Sequence, residues 1–256
     1  MKICLNPGHG GKDSGACGNS LLEKDVNLAV ALKVQKKLEA VGQTVVMTRT
    51  NDTYMDLTAI AKFANATKVD YFLSIHHNAG GGHGYDVIYA LCGGKSKTVA
   101  DAIATQFDTA GQKKHGVYSK AGSDGRDYYA VIRQTNMAAN ICEYGFIDTD
   151  DANHFNTDAL QEVEAEAIFR GLCNGLGISM PAPALVVTPK PVQIKNPDFS
   201  IPTGGNITPL AGGVGYIESH KDNHRVDIHL DRYTYLVLED GTITAYARNK
   251  GSKQII

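Results

Sequence analysis

Four short stretches of this chain place side chains able to do chemistry beside residues that would expose them. Asn6-Pro7-Gly8-His9-Gly10-Gly11-Lys12-Asp13 sets an imidazole among three glycines, which let the backbone turn sharply around it. Glu23 stands in Leu22-Glu23-Lys24-Asp25, and His76 and His77 follow the apolar run ending in Ser74-Ile75. Glu143 comes directly after Ala139-Asn140-Ile141-Cys142 and before Tyr144-Gly145-Phe146. Two imidazoles and a carboxylate are what a catalytic zinc site uses, with a fourth position left for water. A second carboxylate near that water could take its proton and return it to a leaving nitrogen, the arrangement of a metal-assisted amide hydrolase. No compact signature such as H-E-x-x-H joins these residues. Alternation along a strand allows only one of His76 and His77 to face a given ion, without saying which.

Each residue also has a plainer explanation. His9 could be a loop residue, Glu23 a helix-start carboxylate facing the helix dipole, and His76-His77 one buried and one solvated ring. Glu143 is harder to explain so, because burying a carboxylate at the end of an apolar run is costly unless it is paired or used.

The elements that must position these groups read as an α/β domain. Lys2 to Leu5, Thr44 to Met47, Tyr71 to Ile75, Val87 to Leu91 and Ala139 to Cys142 are strand-like. Leu28, Ala31, Val34, Leu38 and Val41 recur at helical spacing, and Gly42 follows where a left-handed cap belongs. A second helix opens at the N-cap Asp56, with Leu57, Ile60, Ala61 and Ala64 on one stripe; further helices are expected at about 96 to 110 and 158 to 176. Alternating strands and helices predict a twisted, mostly parallel sheet with helices on both faces. In such sheets ligands bind where loops leave the carboxyl ends of the strands, and all four stretches are expected there. The segment from Gly111 to Tyr129 has neither period, and its length suggests a functional loop.

Seven of the eight prolines lie between Pro181 and Pro209, which marks a linker. The expected organisation is a catalytic domain at 1–178, a Pro/Gly-rich linker at 179–209 and a small β-rich module at 210–256. Val226, Ile228 and Leu230, then Tyr233, Tyr235 and Val237, alternate with a period of two, and Asp240-Gly241 precedes Ile243 as a hairpin turn. His220, His224 and His229 form a polar group in this tail, and Tyr216, Tyr233, Tyr235 and Tyr246 could stack on sugars.

A formal net charge of −2 gives no broad positive field, so nucleic acid and anionic lipid are not expected partners. No apolar stretch is long enough for membrane insertion, and no signal peptide is visible after Met1. Cys4, Cys17, Cys92, Cys142 and Cys173 lack C-x-x-C spacing and read as small buried hydrophobes in a reducing compartment. Gly93-Gly94-Lys95-Ser96 imitates the end of a phosphate loop, but Tyr89 stands where a glycine is needed. There is no G-x-S-x-G elbow of a serine hydrolase.

In order along residues 1 to 178, Asn6-Pro-Gly-His-Gly-Gly-Lys-Asp-Ser-Gly-Ala16, Glu23-Lys-Asp25, Thr48-Arg49 with Asp52, Ala64-Asn65, Phe72-Leu-Ser-Ile-His-His-Asn-Ala79 and Glu143-Tyr-Gly-Phe-Ile147 stand as a set. That set resembles the motifs of the zinc-dependent N-acetylmuramoyl-L-alanine amidases of type 3. The resemblance implies a zinc enzyme that cuts peptidoglycan between N-acetylmuramic acid and the L-alanine of the stem peptide. By likeness, His9, Glu23 and His76 correspond to the zinc ligands and Glu143 to the catalytic glutamate. Arg133, in Val131-Ile-Arg-Gln-Thr135, matches the family pattern and could face substrate. Ile60 and His115 stand where the family usually has arginines. An amidase with a linker and a small terminal module looks like a phage endolysin, held in the host bacterial cytoplasm until another protein opens the membrane; a bacterial autolysin is the other origin. The terminal module would bind the wall or associate with a second copy. Rival functions are a zinc peptidase cutting within the stem peptide, which would free a later amino group, and a non-catalytic wall-binding protein, which would not clear a wall suspension.

Overall fold

The computed structural model describes residues 1–180 and, further on, the backbone of five strands between Ile207 and Ala247. The first unit runs β1 (Lys2–Pro7), β2 (Cys17–Gly18), β3 (Leu21–Leu22), α1 (Glu23–Ala40), β4 (Thr44–Met47), α2 (Leu57–Ala66) and β5 (Tyr71–Asn78). It continues with β6 (Tyr85–Tyr89), α3 (Gly94–Thr109), β7 (Lys114–Tyr118), α4 (Ala130–Arg133), β8 (Ala138–Phe146), a 3-10 turn at Asp150–His154 and α5 (Asp158–Leu176).

Six strands form one sheet in the order β4-β1-β5-β8-β6-β7. The four strands β4, β1, β5 and β8 are parallel, as the alternation of strands and helices predicts. β6 runs antiparallel to β8. Only Ala79 to Gly84 separate it from β5, too few residues for the crossover of a dozen or more that a parallel return requires. Apolar side chains leave the sheet on both faces. Ile3, Leu5, Tyr71, Leu73, Ile75 and Cys142 meet α1, α3 and α5, whereas Cys4, Phe72, Ala139 and Ile141 meet α2 and α4.

Helix boundaries follow local chemistry. Asp56 caps α2 by accepting a hydrogen bond from the Ala59 N–H at 2.9 Å. Past α1, Gly42 has φ +77°, and the N–H groups of Gly42 and Gln43 return to the carbonyls of Glu39 and Leu38, which closes the last turn.

Some expectations change. The stretch after Gly111 contains β7, an edge strand whose Lys-His-Gly-Val-Tyr composition has no alternation to detect, and whose polar start suits an unpaired edge. Cys17 and Cys92 are exposed; only Cys4, Cys142 and Cys173 are buried. Of the stripe expected on α2, Ile60, Ala61 and Ala64 are buried, whereas Leu57 is exposed at the helix start.

The second unit, Ala182–Ile256, contains the strands Ile207–Pro209, Gly215–His220, Arg225–Leu230, Tyr233–Leu238 and Ile243–Ala247 in one antiparallel sheet. The linker expected at 179–209 lies mostly outside the described residues, as do the side chains of His220, His224, His229 and the four tail tyrosines.

Candidate active site

Strand β1 ends at Pro7, and the chain turns through Gly8 into His9, whose backbone adopts φ +61°. A non-glycine residue there is uncommon and marks a position held by its surroundings. Strand β5 delivers His76 beside it, and α1 begins with Glu23 between the two. Glu23 Oε2 lies 3.1 Å from His9 Nε2, and Glu23 Oε1 lies 2.9 Å from His76 Nδ1. The imidazoles meet edge to face with centroids 5.0 Å apart.

Two glycines make this approach possible. A Cβ on Gly8 would fall 2.1 Å from His76 Cε1, and one on Gly15, which has φ +65°, would fall 2.5 Å from Glu23 Oε2. Arg49 locks the frame from behind. Its Nε donates to the Pro7 carbonyl at 3.0 Å, and its Nη2 donates to those of Gly8 at 2.9 Å and Lys24 at 2.7 Å. One guanidinium thus ties the turn bearing His9 to the helix start bearing Glu23, using a planar fork of donors that lysine lacks.

Glu23 itself is buried, yet its carboxyl is held well below the usual carboxylate range. Burial opposes ionisation, but the hydrogen bonds from His76 and His9 prevail. His9 shows the complementary effect: burial opposes its charge, while Glu23 and then Asp13 push it up to about 9. An anionic oxygen pair between two imidazole nitrogens is a setting that either a proton or a metal cation can satisfy. Asp13 accepts from His9 Nδ1 at 2.9 Å, which orients the ring and leaves Nε2 facing Glu23, as the outer partner of a metal-binding histidine does. One ligand atom from each of His9, Glu23 and His76 lies within 4.8 Å of the others, so this donor set fits a metal ion.

Glu143 projects from the neighbouring strand. In β8 it is paired in register with His76 on one side and with Asp86 of β6 on the other. Burial pushes its carboxyl up to about 7, His76 and His77 oppose this, and the negative charges of Glu23 and Asp86 add to it. An acid with that affinity both accepts and releases a proton near neutral pH. All four residues singled out as a chemical set therefore converge on one end of the sheet. His77 points to the other face, where it is buried against Phe155 with ring centroids 4.2 Å apart.

Arg133 takes a different position. Its Nη1 donates to the carbonyls of Asp127 and Tyr128 at 2.6 and 2.8 Å, so it clasps the loop before α4. His115 sits 2.9 Å from Asp86, edge-on to Phe146, and so partners the acid next to Glu143.

Sequence reasoning missed a buried polar chain behind Glu23. Asn27 Nδ2 donates to Glu23 Oε1 and to the Gly8 carbonyl, both at 3.2 Å, which turns Asn27 Oδ1 toward His77 Nδ1 at 2.9 Å. An amide oxygen only accepts, so His77 Nδ1 carries the proton. His77 Nε2 then faces Glu164 Oε2 at 3.2 Å. Burial alone would discharge His77, but the Glu164 carboxylate raises its proton affinity. The available signal was Glu164 within the apolar stripe of α5, next to Ala165, Ala167 and Ile168.

The chain is similar to known proteins in sequence and in fold. The model of the Amidase_3 family, N-acetylmuramoyl-L-alanine amidase, matches residues 3–174. The chain belongs to that family. N-acetylmuramoyl-L-alanine amidase CwlM of Bacillus licheniformis is 36% identical over 189 residues, covering 72% of each chain. The endolysin of Bacillus phage SPP1 is 34% identical over 186 residues, covering 69% of this amidase and 66% of the phage protein. The catalytic domain of CwlV, from Bacillus (Paenibacillus) polymyxa var. colistinus, superposes with a TM-score of 0.63 at 31% identity. That match covers 70% of this amidase and 99% of the CwlV domain. Both the mixed α/β architecture with its mostly parallel sheet and the amide-hydrolysing activity are those of the family.

Proposed function

We propose that this amidase cleaves the bond between N-acetylmuramic acid and L-alanine with zinc held by His9, Glu23 and His76, and with Glu143 as the proton carrier. The observation that supports this most directly is the register of β5 and β8, which sets Glu143 beside His76 on the metal side of the sheet. A zinc ion bound there supplies positive charge that polarises the scissile carbonyl and makes water a competent nucleophile near neutral pH. Glu143 takes one proton from that water as its oxygen bonds to the carbonyl carbon. It then gives the proton to the α-nitrogen of L-alanine as the carbon–nitrogen bond breaks. Asp13 and Asn27 hold His9 and Glu23 in place throughout.

Replacing Glu143 by alanine is expected to leave one equivalent of zinc bound at this centre while abolishing release of new amino groups from purified walls. His76→Ala is expected to lose both. Wall hydrolysis at the parent rate by Glu143→Ala would contradict the assignment. Mass spectrometry of the digest identifies the bond cut, because a stem-peptide cleavage would free the amino group of a later residue.

Peptidoglycan is the only partner this chemistry requires. Arg133, with Nε and Nη2 free of hydrogen bonds among the described residues, could meet it from the loop it clasps, which would border the glycan groove. The tail beyond residue 209 is proposed to attach the enzyme to the wall, and pairing with a second copy is the competing role. No helix among the described residues is long and apolar enough to cross a membrane. Similarity to the endolysin of Bacillus phage SPP1 supports an endolysin-like route in which the enzyme reaches the wall after another protein opens the membrane.

A further inference from the structure

We propose that a second divalent cation binds outside the catalytic centre, held by His83, Asp150 and Asp151. These residues lie on two loops that leave the sheet at the ends of β5 and β8, the strands carrying His76 and Glu143. Asp148 Oδ2 accepts the N–H groups of Gly80 and Gly81 at 2.8 and 3.1 Å, and Asp151 Oδ2 accepts those of Gly84 and Phe146 at 2.7 and 3.1 Å. The backbone on either side of His83 is therefore tied down. His83 Nδ1 sits 3.0 Å from Asp150 Oδ1 and 3.6 Å from Asp151 Oδ1. One donor atom from each of the three lies within 4.8 Å of the others.

A second, independent observation concerns Asp151. It is 6% exposed, and although backbone donors hold its Oδ2, its Oδ1 has no hydrogen-bond partner among the described residues. The side chain is thus anchored by one oxygen while the other is left open toward the cavity, where a ligand can reach it. That oxygen faces His83, and both residues line a cavity of about 240 Å³ with Asp150 and His154 on its wall. Lys113 also borders the cavity, but two carboxylates outweigh its single charge. One imidazole with two carboxylates is a donor set for a borderline divalent ion, zinc before calcium or magnesium. A cation there would bridge the loops after β5 and β8 without sharing any residue with the catalytic trio.

The test is equilibrium dialysis of the full-length chain against zinc chloride with a non-thiol reductant present, followed by elemental analysis. The parent should bind two equivalents. His83→Ala and Asp150→Asn should each bind one and keep wall hydrolysis. Both side chains are exposed, so neither substitution disturbs packing, and Asp151 is left in place because it anchors backbone. His76→Ala should retain one equivalent, and the double variant His76→Ala/His83→Ala none. Excess zinc should raise the Tm of His76→Ala and leave that of the double variant unchanged. A second equivalent that survives in His83→Ala, as it would on the exposed thiols or the tail histidines, overturns the proposal. So does a parent chain that binds one equivalent and loses it with His76. If instead the catalytic trio holds no zinc, the parent binds one equivalent that His83→Ala removes, which separates the two assignments.

Discussion

At the scale of single residues, the centre depends on how closely charged groups are pressed together. Burial, with the negative charges of Glu23 and Asp86 adding to it, raises the Glu143 carboxyl to about 7 before any cation arrives. A raised carboxyl pKa means that the base is lost as pH falls through that value. A cation beside it favours the ionised form and moves this loss lower. The acid limb of kcat/KM is therefore expected at or below about pH 7, and a limb above pH 8 would show that another group controls it. Gly15 gives a second expectation. Its positive φ and the 2.5 Å approach to Glu23 Oε2 leave no room for a methyl group. Gly15→Ala should lose metal affinity by at least tenfold, the lower part of the range for disturbing a ligand's supports, as read by chelator competition. His9, His76 and Glu143 were legible because each interrupts a glycine-rich or apolar pattern, whereas Glu23, followed by Lys24 and Asp25, was legible only by its place at a helix start. The choice of His76 over His77 was not, because alternation makes the pair opposite without orienting it. What orients it is the buried carboxylate of Glu164, distant in sequence.

At the scale of elements, that same carboxylate joins α5 to β5. His77 and Glu164 are fully enclosed, and Glu164 Oε1 has no partner at all among the described residues. Removing one member of a buried pair leaves the other uncompensated, at a cost of about 3–5 kcal/mol. Glu164→Ala should lower the denaturant midpoint accordingly, and an unchanged midpoint would mean that the pair contributes nothing net. The parallel strands and long helices were readable because packing on both sheet faces imposes continuous apolar runs and 3.6-residue stripes. Strand β7 was not, because an edge strand packs little and needs no such pattern. Its start is exposed, and its register with β6 shifts between Tyr85 and Asp86.

At the scale of the whole molecule, the two apolar clusters found among the described residues lie within residues 1–180, and the family match ends at residue 174. The candidate centre lies in the same stretch. A chain stopped after Met180, which keeps Gly177 at the end of α5 and the core contacts of Ile178 and Met180, should hydrolyse solubilised wall fragments at the parent rate and sediment less with intact walls. Equal sedimentation would remove the attachment role of the tail and favour self-association. The expected linker rests on proline content alone, since no packed element tolerates prolines at that density.

The clasp of Arg49 has a further bearing on how the enzyme comes to life. Its guanidinium gathers a loop near the start of the chain and a helix turn some way on, while Glu143, the proposed proton carrier, arrives only with the eighth strand. His9, His76 and Glu143 come together only through the pairing of β1, β5 and β8, so a chain in which those strands have not yet paired should lack activity. Ion capture should be the last event of renaturation, trailing the recovery of helical signal, and a metal-sensing dye would time the birth of lytic power.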